Sequence, residues 1–217
     1  MGPPDALLRA SAQEPWHIDV VLRSTHGSAS HRRTTAALAA SVLVATTLTI
    51  TTVPAHAASP APAGRVVIGD SVTGMNPQAL KSRGFKVNYA VSRQFSTLPG
   101  ILKGYGSRLP RKVVVHLGTN GTISLNDCKR AVRIARSTRT VFFVTVRVPA
   151  SWERSNNATL RRCDRAFKGP RVRIIDWHRL SDNRNDWFYR DGYHPVESTG
   201  GVAYAKLIDR AVDRHRR

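Results

Sequence analysis

Arg65-Val-Val-Ile-Gly-Asp-Ser-Val-Thr-Gly-Met-Asn76 is the stretch from which the fold of this chain is read. Val66, Val67 and Ile68 make an apolar, β-branched run of the length of a buried strand. The run breaks at Gly69, presents Asp70 and Ser71, and leads into a segment from Asn76 to Arg83 with helical character. A serine where a buried strand hands over to a helix lies at the carboxyl edge of a sheet. Open α/β sheets bind ligands at that edge, and a helix N-terminus favours negative charge developing beside it. Taken alone, Gly-Asp-Ser also has a plainer reading, in which Asp70 or Ser71 only caps a helix.

Working outward, the same pattern recurs. Further strand candidates are Lys86–Val91, Val113–Leu117, Val141–Val146 and Val172–Ile175, with helical candidates at Leu98–Tyr105, Asn126–Ser137, Asn156–Phe167 and Thr199–Arg214. Five short β-branched runs alternating with helices predict an α/β fold. The expected form is a three-layer α/β/α domain over residues 65–217, with a mostly parallel five-stranded sheet. A chain of 217 residues, 41% hydrophobic, has room for one such domain plus appendages.

The appendages lie before Arg65. Residues 1–31 show no sustained periodicity and form a leader of uncertain status. Arg32-Arg33 then precede an uncharged stretch from Thr34 to Pro54, rich in Ala, Leu, Val and Thr, followed by Ala55-His56-Ala57. A basic flank, an apolar core and a small-x-small site describe a secretory signal over 32–57, cleaved after Ala57. The competing reading is a retained anchor, because the stretch approaches the ~20 residues that span a bilayer. No apolar residues directly follow the twin arginines, as a twin-arginine signal requires. Residues 58–64 read as a Pro/Ala linker. The expected location is therefore secreted or cell-envelope associated, with no membrane association after cleavage.

Cys128 and Cys163 are the two cysteines, and both follow the expected cleavage point. An even count in an exported chain favours a disulfide. Joining the helices after the third and fourth strands, it would contribute ~3–4 kcal/mol through chain entropy. Two buried free thiols are the alternative. Two cysteines alone offer no structural zinc site.

The formal charge is +20, from 34 Lys and Arg against 14 Asp and Glu. Of the basic residues only Arg9, Arg23, Arg32 and Arg33 precede Ala58, so the charge belongs to the exported segment. Such an excess points to polyanionic surroundings, an anionic cell-envelope polymer among them. The bland alternative is an Arg-rich surface with no partner. The basic residues are scattered, without interleaved aromatics or a recognition element, which argues against a specific nucleic-acid binder.

Three segments can complement Ser71. Asp191-Gly-Tyr-His194 places a carboxylate and an imidazole three residues apart, the His as base and the Asp orienting it. Val113-Val-Val-His-Leu-Gly-Thr-Asn120-Gly121 is an apolar strand ending in a glycine-flanked Asn, whose amide can donate to an oxyanion. Ala90-Val-Ser-Arg-Gln94 ends the second strand. His116 and His178 lack a ligand cluster and read as structural, so no metal or cofactor is expected. Asp176 reads as a helix cap. Trp152, Trp177 and Trp187 either line a groove or pack in the core.

Gly69-Asp70-Ser71, then Gly118-Thr119-Asn120, then Asp191-Gly192-Tyr193-His194 stand in the order found in the SGNH (GDSL-type) hydrolases, and the chain resembles that family over residues 65–212. The resemblance implies Ser71 as nucleophile, His194 as base and Asp191 as its partner. It implies Asn120 and the Ser71 backbone N–H as oxyanion donors. An ordinary α/β-hydrolase elbow does not fit, because Thr73 stands where Gly-x-Ser-x-Gly needs glycine. Two departures stand out. Arg93 falls where the family has a glycine that donates its N–H to the oxyanion hole. There Arg93 would donate its own N–H or bind substrate through its guanidinium, or be a plain surface arginine. Gly121 follows Asn120 where the family often has Asp. Both departures resemble the SGNH domains attached to membrane acyltransferases that O-acetylate cell-surface glycans, as do Trp152 with Asn156 and Asp176-Trp177. Trp152 is thereby implied at the substrate.

These resemblances imply an exported serine esterase that removes O-acyl groups, acetyl foremost, from a carbohydrate or cell-envelope polymer; a monomer is the separate expectation. An O-acetyltransferase using the same triad is the first alternative. A non-catalytic basic module that holds anionic wall glycans is the second.

Overall fold

The five apolar runs become five parallel strands. The computed structural model describes residues 64–215 apart from 168 and 170; the expected leader, signal and all of the linker before Gly64 lie outside the described residues. The strands are β1 (Arg65–Gly69), β2 (Phe85–Tyr89), β3 (Lys112–His116), β4 (Thr140–Val144) and β5 (Val172–Ile175). They pair in the order β2-β1-β3-β4-β5, every neighbour parallel. The chain leaves β1 for one edge of the sheet and returns on its other side at β3. In a sheet of this order the β1/β3 boundary is the switch point, where a crevice opens beyond the strand ends.

Alternation of side chains along each strand sorts the core into two layers. Val66, Ile68, Val113, Val115, Val141, Phe143 and Val172 face one side. There they meet the helices Leu98–Tyr105, Leu125–Ala135 and Glu153–Ala166. Val67, Val114, Phe142, Val144 and Ile175 face the other side, against Leu80, Trp177, Tyr204, Ala205, Ile208 and Val212. Burial on both faces explains why β1, β3 and β4 read as apolar runs, whereas the edge strand β2 carries Lys86 and Asn88. In chain order the helices are α1 (Ser71–Gly74), α2 (Pro77–Lys81), α3 (Leu98–Tyr105), α4 (Leu125–Ala135), α5 (Glu153–Ala166), α6 (Trp177–Ser181) and α7 (Val202–Asp213).

Local chemistry explains most helix ends. Asn76 caps α2 by accepting from the Ala79 N–H, with Pro77 in the first turn. Ser124 caps α4 through its hydroxyl oxygen, and Asp176 caps α6, in keeping with its sequence reading. The last helix starts later than expected, because Glu197–Gly201 forms a wide π turn ahead of α7. The turn is tightly packed: a β-carbon on Gly200 would lie 2.4 Å from the Trp187 carbonyl oxygen. β2 stops at Tyr89, short of Val91, because Ser92 turns the chain with a φ of 57°. Cys128 on α4 and Cys163 on α5 are joined in a buried disulfide with a Cα separation of 6.2 Å.

Candidate active site

β1 delivers the Gly-Asp-Ser turn to the switch point. Gly69 admits no side chain, since a β-carbon there would fall 1.9 Å from Thr73 Oγ1. Asp70 is wholly buried, and its Oδ1 accepts the Val72 N–H at 3.1 Å, closing a four-residue helix, α1. Ser71, the next residue, is left half-buried at the start of α1. Burial pushes the Asp70 carboxyl up to about 6, despite hydrogen bonds that favour the charged form. Beneath the turn, Thr73 Oγ1 and His116 Nδ1 both meet the Tyr204 hydroxyl, at 3.1 and 3.0 Å. Burial drives His116 down to about 3, so it is a neutral core group.

His194 reaches the same point from the other end of the chain. Its Nε2 lies 2.9 Å from Ser71 Oγ, and its Nδ1 lies 2.7 Å from Asp191 Oδ2. Asp191 Oδ1 accepts the backbone N–H groups of Tyr193 and His194, at 2.8 and 3.0 Å. Partial burial opposes the Asp191 charge. The hydrogen bonds from His194 and from these two amides outweigh it, holding the carboxyl below the ordinary range. With Asp191 ionised, the His194 tautomer that satisfies both contacts carries its proton on Nδ1 and accepts from the Ser71 hydroxyl at Nε2.

Asn120 follows β3 on a loop with positive φ at Gly118 and Gly121, 119° and 133°. Its Nδ2 donates to the Arg93 carbonyl at 3.4 Å. Arg93 meets backbone carbonyls through its guanidinium. Its Nη1 donates to the carbonyls of Gly69 and Asn88, each at 3.0 Å, tying together the ends of β1 and β2. Its backbone N–H donates to Ala90 O at 3.4 Å. Burial draws its guanidinium down, and the Asp70 charge works against that. The left-handed residue of this turn is Ser92, not Arg93. The conformation that favours glycine in this turn therefore belongs to Ser92.

Trp152 stands half-buried just before α5, and its carbonyl accepts the Asn156 N–H at 2.8 Å. Among the described residues no hydrogen bond links it to Ser71, His194 or Asn120. Trp177 is buried in the core, stacked on Trp187. His178 Nε2 lies 3.0 Å from Glu153 Oε1.

Two residues whose roles the sequence reading missed support the site. Asn156 is buried on α5. Its Nδ2 donates to the carbonyls of Gly118 and Gly121, at 2.9 and 2.8 Å, while Oδ1 accepts the Ile123 N–H at 2.7 Å. One side chain thus holds the loop that carries Asn120. The available signal was an Asn on the apolar face of a helix, in line with Leu160 and Cys163. The other residue is Arg147, whose Nη1 donates to the Gly192 carbonyl at 2.9 Å. Among the described residues no group of three His, Cys, Asp or Glu side chains could hold a metal ion, and no helix is long and apolar enough to cross a membrane.

This architecture has relatives of known structure. The C-terminal catalytic domain of peptidoglycan O-acetyltransferase A from Streptococcus pneumoniae matches 71% of this chain and 94% of its own, with a TM-score of 0.63 and 23% identity. The fold is that of the SGNH hydrolases. A carbohydrate esterase of family 3 from Talaromyces cellulolyticus superposes on the same SGNH fold with a TM-score of 0.57. It covers 70% of this chain and 97% of its own, at 17% identity. In sequence, the chain is 28% identical over 155 residues to the O-acetyltransferase OatA of Staphylococcus aureus. That match takes in 69% of this chain, which spans about a quarter of the length of that relative (25%). No protein-family model matches the chain.

Proposed function

We propose that this chain is an exported serine esterase that removes O-acyl groups, acetyl foremost, from a carbohydrate or cell-envelope polymer. The observation that carries the reading is the 2.9 Å contact between His194 Nε2 and Ser71 Oγ, with Asp191 2.7 Å behind the imidazole. His194 takes the Ser71 proton as Oγ attacks the acyl carbonyl, and Asp191 stabilises the imidazolium that forms. Asn120 Nδ2 and the Ser71 N–H donate to the tetrahedral oxyanion. His194 then protonates the departing sugar oxygen, and the ester C–O bond breaks to leave an acyl-Ser71. Water attacks this ester with His194 again as base, releasing the carboxylic acid and restoring Ser71. Export is supported by the Cys128–Cys163 disulfide, a bond of oxidising compartments, together with the signal-like segment 32–57.

A transferase uses the same residues and differs only in the last acceptor, a sugar hydroxyl in place of water. The sequence likeness to an O-acetyltransferase favours this second reading. The positive charge is proposed to draw the enzyme to an anionic polymer. Raising salt would then weaken retention on that polymer while leaving turnover of a small neutral ester unchanged.

Hydrolysis of p-nitrophenyl acetate by wild type beside Ser71→Ala tests the reading. Loss of turnover in the variant is expected, and equal rates would overturn it. Adding a soluble glycan acceptor to the wild-type reaction separates the outcomes: acetylated glycan marks a transferase, and acetate alone a hydrolase.

A further inference from the structure

The segment that presents Asp191 and His194 is built as a hairpin. Tyr189 donates its N–H to His194 O at 2.9 Å, Gly192 donates to Tyr189 O at 2.9 Å, and Phe188 and Pro195 form an antiparallel bridge. These contacts, with the Asp191 bonds to Tyr193 and His194, fix the Asp191–His194 pair within the hairpin itself. They do not fix where the hairpin stands relative to Ser71, which belongs to β1 and α1.

Arg147, three residues beyond the end of β4, ties the hairpin to the sheet that also carries β1. Nη1 donates to the Gly192 carbonyl at 2.9 Å, between the two residues of the pair. Nη2 donates to Asn185 Oδ1, just before the hairpin. The guanidinium lies 4.1 Å from the ring centroid of Phe188, which is itself packed into the core. Gly192 has a φ of 68°, and a β-carbon there would come within 3.3 Å of Pro149, so the hairpin turn lies directly on the segment after β4. One planar side chain therefore grips the hairpin at two points and the residue leading into it at a third. A lysine reproduces one donor at best and does not stack in the same way.

We infer that Arg147 is a positioning residue, setting the distance between His194 and Ser71 by bracing the Asp191–His194 hairpin against the end of β4. The inference rests on the serine-esterase reading for its effect on rate. Misplacing a reacting group by an ångström costs about 10²-fold. Because Arg147 acts on the placement of the base, its loss lowers kcat and leaves KM for a small ester nearly unchanged.

Arg147→Ala and Arg147→Lys, compared with wild type by hydrogen exchange and by p-nitrophenyl acetate kinetics, test it. The expected result is faster amide exchange across residues 188–196 in both variants, with other peptides unchanged. Alongside, kcat falls roughly 10–100-fold for Ala and less for Lys. Unchanged exchange across the hairpin overturns the brace. Faster exchange with an intact kcat, or a loss carried by KM, overturns the positioning role. If Arg147→Ala does not fold, the Lys variant carries the comparison. Ser71→Ala measured in parallel keeps the two ideas apart. Turnover that survives in Ser71→Ala sinks the esterase reading, while the exchange data still decide whether Arg147 holds the hairpin.

Discussion

Asn156 Nδ2 donates to the Gly118 carbonyl across 2.9 Å, joining α5 to the loop that begins where β3 ends. The same amide also serves Gly121 and Ile123, so all three of its bonds go to the backbone of one loop. Replacing it leaves buried backbone groups without partners, each costing about 1–3 kcal/mol. Asn156→Ala is expected to lower stability by roughly 2–6 kcal/mol on that basis, the groups of Gly118 and Ile123 being buried. It should also slow ester turnover more than a remote core substitution of equal cost, since Asn120 loses its anchor. Urea denaturation beside kcat on one preparation checks both; a stability loss with unchanged kcat would detach Asn156 from the site.

Asp191→Asn tests the orientation of the imidazole. The amide would donate toward His194 Nδ1, driving the proton to Nε2, where it faces Ser71 Oγ and the base is lost. A fall in kcat of about 10²–10⁴-fold with little change in KM is expected. Steady-state kinetics at several pH values would reveal it, and a variant that retains most of its rate removes Asp191 from the mechanism.

Asp70 makes stability depend on pH. Its carboxyl is raised to about 6 in the folded chain from an ordinary 3.8. The folded state therefore holds the proton more tightly than the unfolded one. The stabilisation from this group is complete below pH ~4 and is lost as pH rises through ~6. Asp70→Asn keeps an acceptor for the Val72 N–H and carries no charge. Its stability relative to wild type should climb between pH 4 and 7, by on the order of 2 kcal/mol. Denaturation midpoints across that range would show it, and a flat difference would mean that Asp70 is not a buried titrating group.

Ser92 holds a φ of 57°, a conformation that costs an ordinary residue about 1 kcal/mol and glycine almost nothing. Ser92→Gly should therefore be neutral or stabilising by up to about 1 kcal/mol, with the Arg93 bonds intact. Arg93→Gly should destabilise, because the bonds from its guanidinium to Gly69 and Asn88 vanish. Thermal melts of the two variants, run side by side, discriminate the positions. The reverse order would mean that Ser92 is not the strained position of this turn.

Much of the scaffold was legible because its causes are local. Val66 to Ile68 and Val113 to Val115 are apolar without interruption, since both faces of the sheet are covered. The expected bounds of the Leu98–Tyr105 helix coincide with α3. α1 and α6, of four and five residues, are too short to carry a helical period, and they went unread. The π turn at Glu197–Gly201 packs Gly200 against Trp187, a contact no local pattern reports.

At the site, residue types were readable where chemistry restricts them: Ser71 at a strand end, the Asp191–His194 spacing, Asn120 between glycines. Arg93 stayed open in the sequence because a guanidinium looks the same there whether it meets substrate, backbone carbonyls or solvent. Arg147 and Asn156 were missed for a related reason. Their partners, Gly192 and Gly118, lie 45 and 38 residues away.

The sequence by itself determined the parallel sheet and the order of the blocks, because strand burial and turn formation are settled by neighbours along the chain. Only the tertiary structure decided that His194 closes on Ser71 across 123 residues, and which side chains hold it there. Those contacts follow from how β1, β4 and the late hairpin meet at one edge of the sheet.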